Sequence, residues 1–267
     1  MMKALRGCVA FLGLCALLPA VVPTALAQKS EPPPAEAFSA ATPKDIHTRA
    51  KLHTELGSLY FQSGNLIVAL EELTIAISIN ANYAPAYSTR GLVLYYIKEF
   101  ESAEKDFQQA IRLDERDPEI SNNYGWYLCN TGKEKESITY FQRALKNPLY
   151  KTPEVGFLNA GTCYLKLGDL ASAEDYVRRS MRFSPENPQA LFQLAIISYK
   201  RGNYDAARQH LKNVVRLSDP GADVLWLSLR VERRLGDSEA ERSFTAQLRR
   251  KYPDSPEYLE FLKGNFE

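Results

Sequence analysis

The chain has 267 residues, with 33 Lys and Arg against 32 Asp and Glu, a formal net charge of +1. That near balance argues against nucleic acid as a main partner, because such binding draws its affinity from a clear excess of basic charge. The length would fill one or two globular domains, unless an internal repeat accounts for it.

At the N-terminus, Lys3 and Arg6 precede an uncharged, largely apolar run from Gly7 to Ala27, ending in Ala25-Leu26-Ala27. A basic start, an apolar stretch and a small-x-small close describe a secretory signal peptide over residues 1–27, cleaved before Gln28. Pro19 and Pro23 interrupt the run and disfavour a stable membrane span. The competing reading is a lipoprotein acylated at Cys15. There Leu14 stands where a lipobox wants a small residue, and the preceding apolar stretch is short. Residues 28–48 are rich in Pro, Ala and charge, include Pro32-Pro33-Pro34, and show no hydrophobic period, as expected of a disordered linker. The chain from Gln28 onward has 31 basic and 32 acidic residues, a formal charge of −1.

From about residue 49 to 267 the chain repeats. Gly57, Gly91 and Gly125 are 34 residues apart, each within an apolar helical pattern followed by a second one. That period is the tetratricopeptide repeat, a helix-turn-helix unit, and predicts an all-α, right-handed α-solenoid of about six repeats. Frames starting at Ala50, Ala84, Pro118, Glu154, Pro188 and Ala222 place Gly57, Gly91, Gly125, Gly161, Ala195 and Leu229 at the eighth position. The twentieth position holds Ala69, Ala103, Ser137, Ala173, Ala207 and Glu241, small in five of six as a helix crossing requires. Gly64, Gly132, Gly168, Gly202 and Gly236 fall at the fifteenth, the expected helix C-terminus, with Lys98 the exception. Pro185 and Pro253 end second helices. The frame slips by two residues around Asn147–Pro153, which reads as a longer connection.

Beyond the leader only Cys129 and Cys163 remain, late in the first helices of successive repeats. Neighbouring first helices run side by side, so a disulfide is geometrically open in an oxidising compartment; two small buried hydrophobes are the alternative. No phosphate loop, H-E-x-x-H, C-x-x-C or G-x-S-x-G motif is present, and His47, His53 and His210 are scattered, His53 at a packing position. The expectation is a binding protein with no catalytic residues, no metal and no cofactor.

In such a stack the first helices line the concave face, with frame positions two, five, nine, twelve and thirteen directed into the groove. The predicted groove comprises Phe61, then Leu92, Tyr95 and Tyr96, then Asn122 and Trp126 beside Cys129. It continues through Leu158 and Leu165 to Phe192, Ile196, Tyr199 and Trp226. A stripe this apolar suits a peptide or helix partner, although packing between neighbouring first helices would account for individual members. Asn122 is a candidate to hold a peptide backbone. Lys200, Arg201, Arg230, Arg233 and Arg234 gather at the C-terminal end, either to receive acidic groups or as solvated helix ends.

Several runs are more particular than the repeat requires: Asn122-Asn123-Tyr124-Gly125-Trp126-Tyr127-Leu128-Cys129, Asn147-Pro148-Leu149-Tyr150 with Thr152-Pro153, and Asn159-Ala160-Gly161 with Cys163. Leu225-Trp226-Leu227, Arg233-Arg234-Leu235-Gly236-Asp237 and Tyr252-Pro253-Asp254-Ser255 add to them. Over residues 50 to 260 the chain resembles the type IV pilus biogenesis and stability TPR family, whose members act as pilotins for the outer-membrane secretin. The resemblance implies a protein that binds secretin subunits, with other pilus proteins as further partners, and promotes secretin assembly at the outer membrane; the signal peptide implies a periplasmic location, and the capped solenoid makes a monomer the default. Family members are usually lipoproteins, whereas this chain lacks a convincing lipobox, so attachment through a partner is expected. An envelope adaptor for cell-wall enzymes and a chaperone for outer-membrane proteins are the other two classes compatible with the fold.

Overall fold

The computed structural model describes residues 45–266; the predicted signal peptide, Cys15 and the linker up to residue 44 lie outside the described residues. Among the described residues there are thirteen helices and no strand. The first three pairs are α1 (Ile46–Gln62) with α2 (Leu66–Ile79), α3 (Ala84–Tyr96) with α4 (Phe100–Leu113), and α5 (Pro118–Asn130) with α6 (Glu134–Lys146). Then come α7 (Pro153–Lys166) with α8 (Leu170–Met181), α9 (Pro188–Lys200) with α10 (Tyr204–Leu217), and α11 (Ala222–Leu235) with α12 (Ser238–Lys251). A short helix, α13 (Pro256–Leu262), follows. Two boundaries depart from the sequence expectation. The linker does not reach residue 48, because the Asp45 carboxylate accepts hydrogen bonds from the amides of His47 and Thr48 and starts α1 there. α13 was not anticipated; Ser255 caps it and Pro256 opens it.

Each helix pair closes on a steric fit. A Cβ on Gly125 would stand 2.9 Å from the Phe141 ring, and one on Gly161 would stand 2.7 Å from Val177, so only a bare backbone admits these fully buried side chains. Gly57 faces Leu73 and Gly91 faces Phe107 in the same way. In the sixth pair the sizes are redistributed: Leu229 is fully buried on the first helix, and Thr245 occupies the frame position of the large partner.

Between pairs, each core cluster joins the second helix of one repeat to the first helix of the next. Ala69 and Leu73 pack with Val93, Phe107 with Tyr124 and Tyr127, Phe141 with Ala160 and Cys163, Val177 with Leu194 and Ile197, and Leu211 with Val224 and Val231. The two-residue slip is part of the core: Tyr150 is buried, its ring so close to Gly156 that a Cβ there would lie 2.7 Å away. Thr152 ties the same connection to Glu119 at 2.9 Å. A bidentate ion pair reinforces the second repeat, Arg90 Nε to Asp106 Oδ2 at 2.6 Å and Nη2 to Oδ1 at 2.9 Å. Cys129 and Cys163 are joined by a disulfide that links α5 to α7, with Cα atoms 5.8 Å apart.

The turns between paired helices share one construction. In each, the amide after the left-handed residue returns to a carbonyl five residues back, as from Asn65 to Tyr60 or Asp169 to Tyr164. Where that residue is Asn65, Asp169, Asn203 or Asp237, its side chain also caps the next helix. Lys98 takes the left-handed position without being glycine, at φ 69°. Lys98→Gly should therefore stabilise the protein by about 1 kcal/mol, since a Cβ is penalised in this region; urea unfolding measures it. The disulfide closes a loop with a sequence separation of 34. Replacing both Cys129 and Cys163 by Ala should cost about 2–4 kcal/mol, read as a lower unfolding midpoint than that of the oxidised chain.

Candidate functional site

Successive first helices pack on one another along the stack, whereas the second helices stand apart. The first helices therefore occupy the tighter, inner side of the curvature, and their outward positions face a shared groove. At the N-terminal end this face carries a continuous aromatic group. Tyr95 and Trp126 meet edge to face at 4.7 Å, Tyr96 stacks on Trp126 at 5.9 Å and 15°, and Phe61 meets Tyr96 at 5.3 Å. Phe100 extends the group at 5.5 Å from Tyr95. Tyr96 is 54% exposed and Phe100 46%, while Phe61, Tyr95 and Trp126 are half-buried beneath them. Tyr127 supports the floor: burial pushes its hydroxyl pKa up, so it stays protonated and donates to the Phe100 carbonyl at 3.0 Å.

The middle of the predicted groove is different, and two expectations are corrected there. Asn122 is only 3% exposed, and its amide is spent inside the protein. Asn159 donates to Asn122 Oδ1 at 3.1 Å, Asn122 donates to Asn123 at 3.4 Å, and Asn123 donates to Ser88 Oγ at 3.1 Å. This ladder fixes the register of α3, α5 and α7 and engages both the oxygen and the nitrogen of the Asn122 amide inside the protein. Leu158 is likewise core, 6% exposed against Ala173, Val177 and Leu194. Leu92 and Leu165 are half-buried and pack on neighbouring clusters, so they line the groove floor at most.

At the C-terminal end the structure gathers Phe192, Ile196, Tyr199, Lys200, Trp226 and Arg230 around one cleft of about 530 Å³, together with Glu257 from α13. The Arg230 guanidinium lies 4.6 Å over the Tyr199 ring and 5.8 Å from that of Trp226. Arg233 belongs elsewhere: it pairs with Glu241 at 2.9 Å and lies 3.9 Å over Phe266. Arg234 is exposed on α11, and Arg201 pairs with Glu174, away from the cleft.

A further apolar surface escaped the sequence reading. In repeats two to six the third and tenth frame positions are buried against the preceding repeat, as Ala86 and Val93 or Ala190 and Ile197. In the first repeat, Leu52 and Leu59 at those positions and Leu56 at the seventh are 48%, 61% and 38% exposed. The frame contained this signal, since no repeat precedes Ala50 to cover them. Among the described residues no cluster of three or more His, Cys, Asp or Glu is arranged to hold a metal, and no helix is long and apolar enough to cross a membrane.

Comparison with known proteins places this geometry. The tetratricopeptide repeat family matches residues 84–117 and again 164–230. The chain is 29% identical over 209 residues to the type IV pilus assembly protein PilF of Pseudomonas aeruginosa, spanning 78% of this chain and 83% of PilF. The solved structure of Pseudomonas aeruginosa PilF superposes with a TM-score of 0.71 at 27% identity, over 82% of this chain and 99% of PilF. The crystal structure of PilW, a widely conserved type IV pilus biogenesis factor, superposes with a TM-score of 0.73 at 31% identity, over 80% of this chain and 98% of PilW. With nearly the full length of the solved PilW and PilF chains matched, PilW at 31% identity, the chain belongs to the PilW/PilF family of type IV pilus biogenesis proteins.

Proposed function

We propose that the protein is a non-enzymatic periplasmic scaffold that binds subunits of the type IV pilus secretin and promotes their assembly and stability at the outer membrane. Membership of a pilus biogenesis family supports the process. The observation that carries the binding mode is the aromatic group of Phe61, Tyr95, Tyr96 and Trp126: large rings, partly open to solvent, held rigid by one another on the inner face. Half-exposed aromatic residues on a preformed surface lose little side-chain entropy on binding, which is why such residues dominate interface energetics. An apolar segment of the secretin subunit, helical or extended, is the partner this surface suits. The protein then reaches the outer membrane through the secretin and not through a lipid of its own, in keeping with the poor lipobox at Cys15.

Tyr96 provides the cleanest test, because it is mostly exposed and outside the core clusters. Tyr96→Glu should lower capture of purified secretin subunits by about tenfold or more, since a charge would be desolvated at the contact, with helical circular dichroism unchanged. Capture equal to wild type, alongside loss in a chain carrying Leu52, Leu56 and Leu59 as Ser, would move the contact to the open end of the first repeat. Retention by both variants would remove secretin binding from this surface altogether.

A further inference from the structure

The last residues of the chain are held by contacts of the kind that bind ligands. Phe266 places its ring 5.6 Å from Trp226, and Arg230 Nε donates to the Phe266 carbonyl at 3.1 Å while its guanidinium covers Tyr199. The Arg233 guanidinium also lies 3.9 Å over the Phe266 ring. α13 packs on α11 through half-buried side chains such as Tyr258 and Phe261, but it contributes no fully buried residue, and Leu259 and Leu262 are 48% and 62% exposed. A segment that buries so little sits at the low end of local stability. Trp226 and Arg230 are nonetheless inner-face residues, and beside them the cleft of Phe192, Ile196, Tyr199 and Lys200 is open, with Glu257 of α13 at its rim.

We infer that residues 256–266 are a cis ligand of the inner face, reversibly occupying on Trp226 and Arg230 the subsite that takes an aromatic residue and its main-chain carbonyl from the partner. The inference rests on the inner face being the partner-binding surface and specifies the chemistry at its C-terminal end. The cleft beside the subsite is mixed in charge, lined by Lys200 and Arg230 and by Asp223 and Glu257, so the chemistry of the subsite is set by the Trp226 ring and by the Arg230 guanidinium, which takes a main-chain carbonyl. The tail taxes the apparent affinity of any competing segment by the fraction of time it is docked.

The test uses the full chain from Gln28 and a labelled synthetic peptide of residues 255–267, with binding followed by fluorescence anisotropy. Phe266→Ala weakens the cis contact and should bind the peptide about tenfold more tightly than wild type, the gain expected if the tail is docked about nine-tenths of the time. Arg230→Met added to Phe266→Ala should abolish that gain. In a Trp126→Phe background, Phe266→Ala should also shift Trp226 emission to the red. Equal peptide affinity in wild type and Phe266→Ala, or a gain that survives Arg230→Met, would overturn the inference. Secretin takes no part in the measurement, so its outcome is separable from that of secretin capture.

Discussion

Everything in this protein depends on the close crossing of the two helices within a repeat. In the first four repeats a residue with no side chain on the first helix faces a Leu, Phe or Val on the second, and the backbone of one helix becomes the wall of the pocket that buries the other's side chain; Ala195 takes that place in the fifth. That fit fixes the angle of each pair. The same large side chains then reach across to the next first helix, so a single row of residues, Leu73, Phe107, Phe141, Val177 and Leu211, belongs both to the repeat and to the joint between repeats. Because first helices come closer to one another than second helices do, the stack curves toward them. The groove, and with it any partner site on the inner face, is a consequence of where the small residues lie.

The two ends of the stack are finished differently. At the C-terminal end α12 is polar, with Leu248 alone buried, and α13 and Phe266 close over Trp226. At the N-terminal end Leu52 and Leu59 occupy positions that are buried in every later repeat, and Leu56 is exposed beside them. Between the ends, the hydrogen-bonded ladder from Ser88 to Asn159 and the disulfide from Cys129 to Cys163 tie consecutive first helices together. These ties brace α3, α5 and α7, so the aromatic group of Tyr95, Tyr96 and Trp126 stands on braced helices, and the cleft of Phe192 and Trp226 lies beyond them toward the C-terminal end.

Much of this was legible in the sequence for a definite reason. A 34-residue period samples the same environment six times, so Gly or Ala recurring at the eighth and twentieth positions marks the crossing without any structural knowledge. The cysteine pair was legible because both residues fall late in the first helices of successive repeats, at the twelfth and tenth frame positions. The groove was legible only in part. Position numbers predict which way a side chain leaves its helix, and they correctly brought Phe192, Ile196, Tyr199, Trp226 and Arg230 to one cleft. They do not tell how far the neighbouring helix covers that side chain, which is why Leu158 and Asn122 proved to be interior. Asn122 looked like ligand chemistry because an amide serves a peptide backbone and a neighbouring helix equally well; only the partner distances decide. The tail was missed because a seven-residue helix has too few turns to show a period, although Ser255-Pro256 is a good start signal.

The claim at the centre of this account is that the stack acts on the secretin. The most direct measurement is an immunoblot for detergent-resistant secretin multimers in cells with and without this chain, with secretin monomer measured on the same blot. The account predicts that the multimers disappear while the monomer persists, and that the wild-type chain restores them. Multimers of unchanged amount at the outer membrane in cells lacking the chain would contradict it.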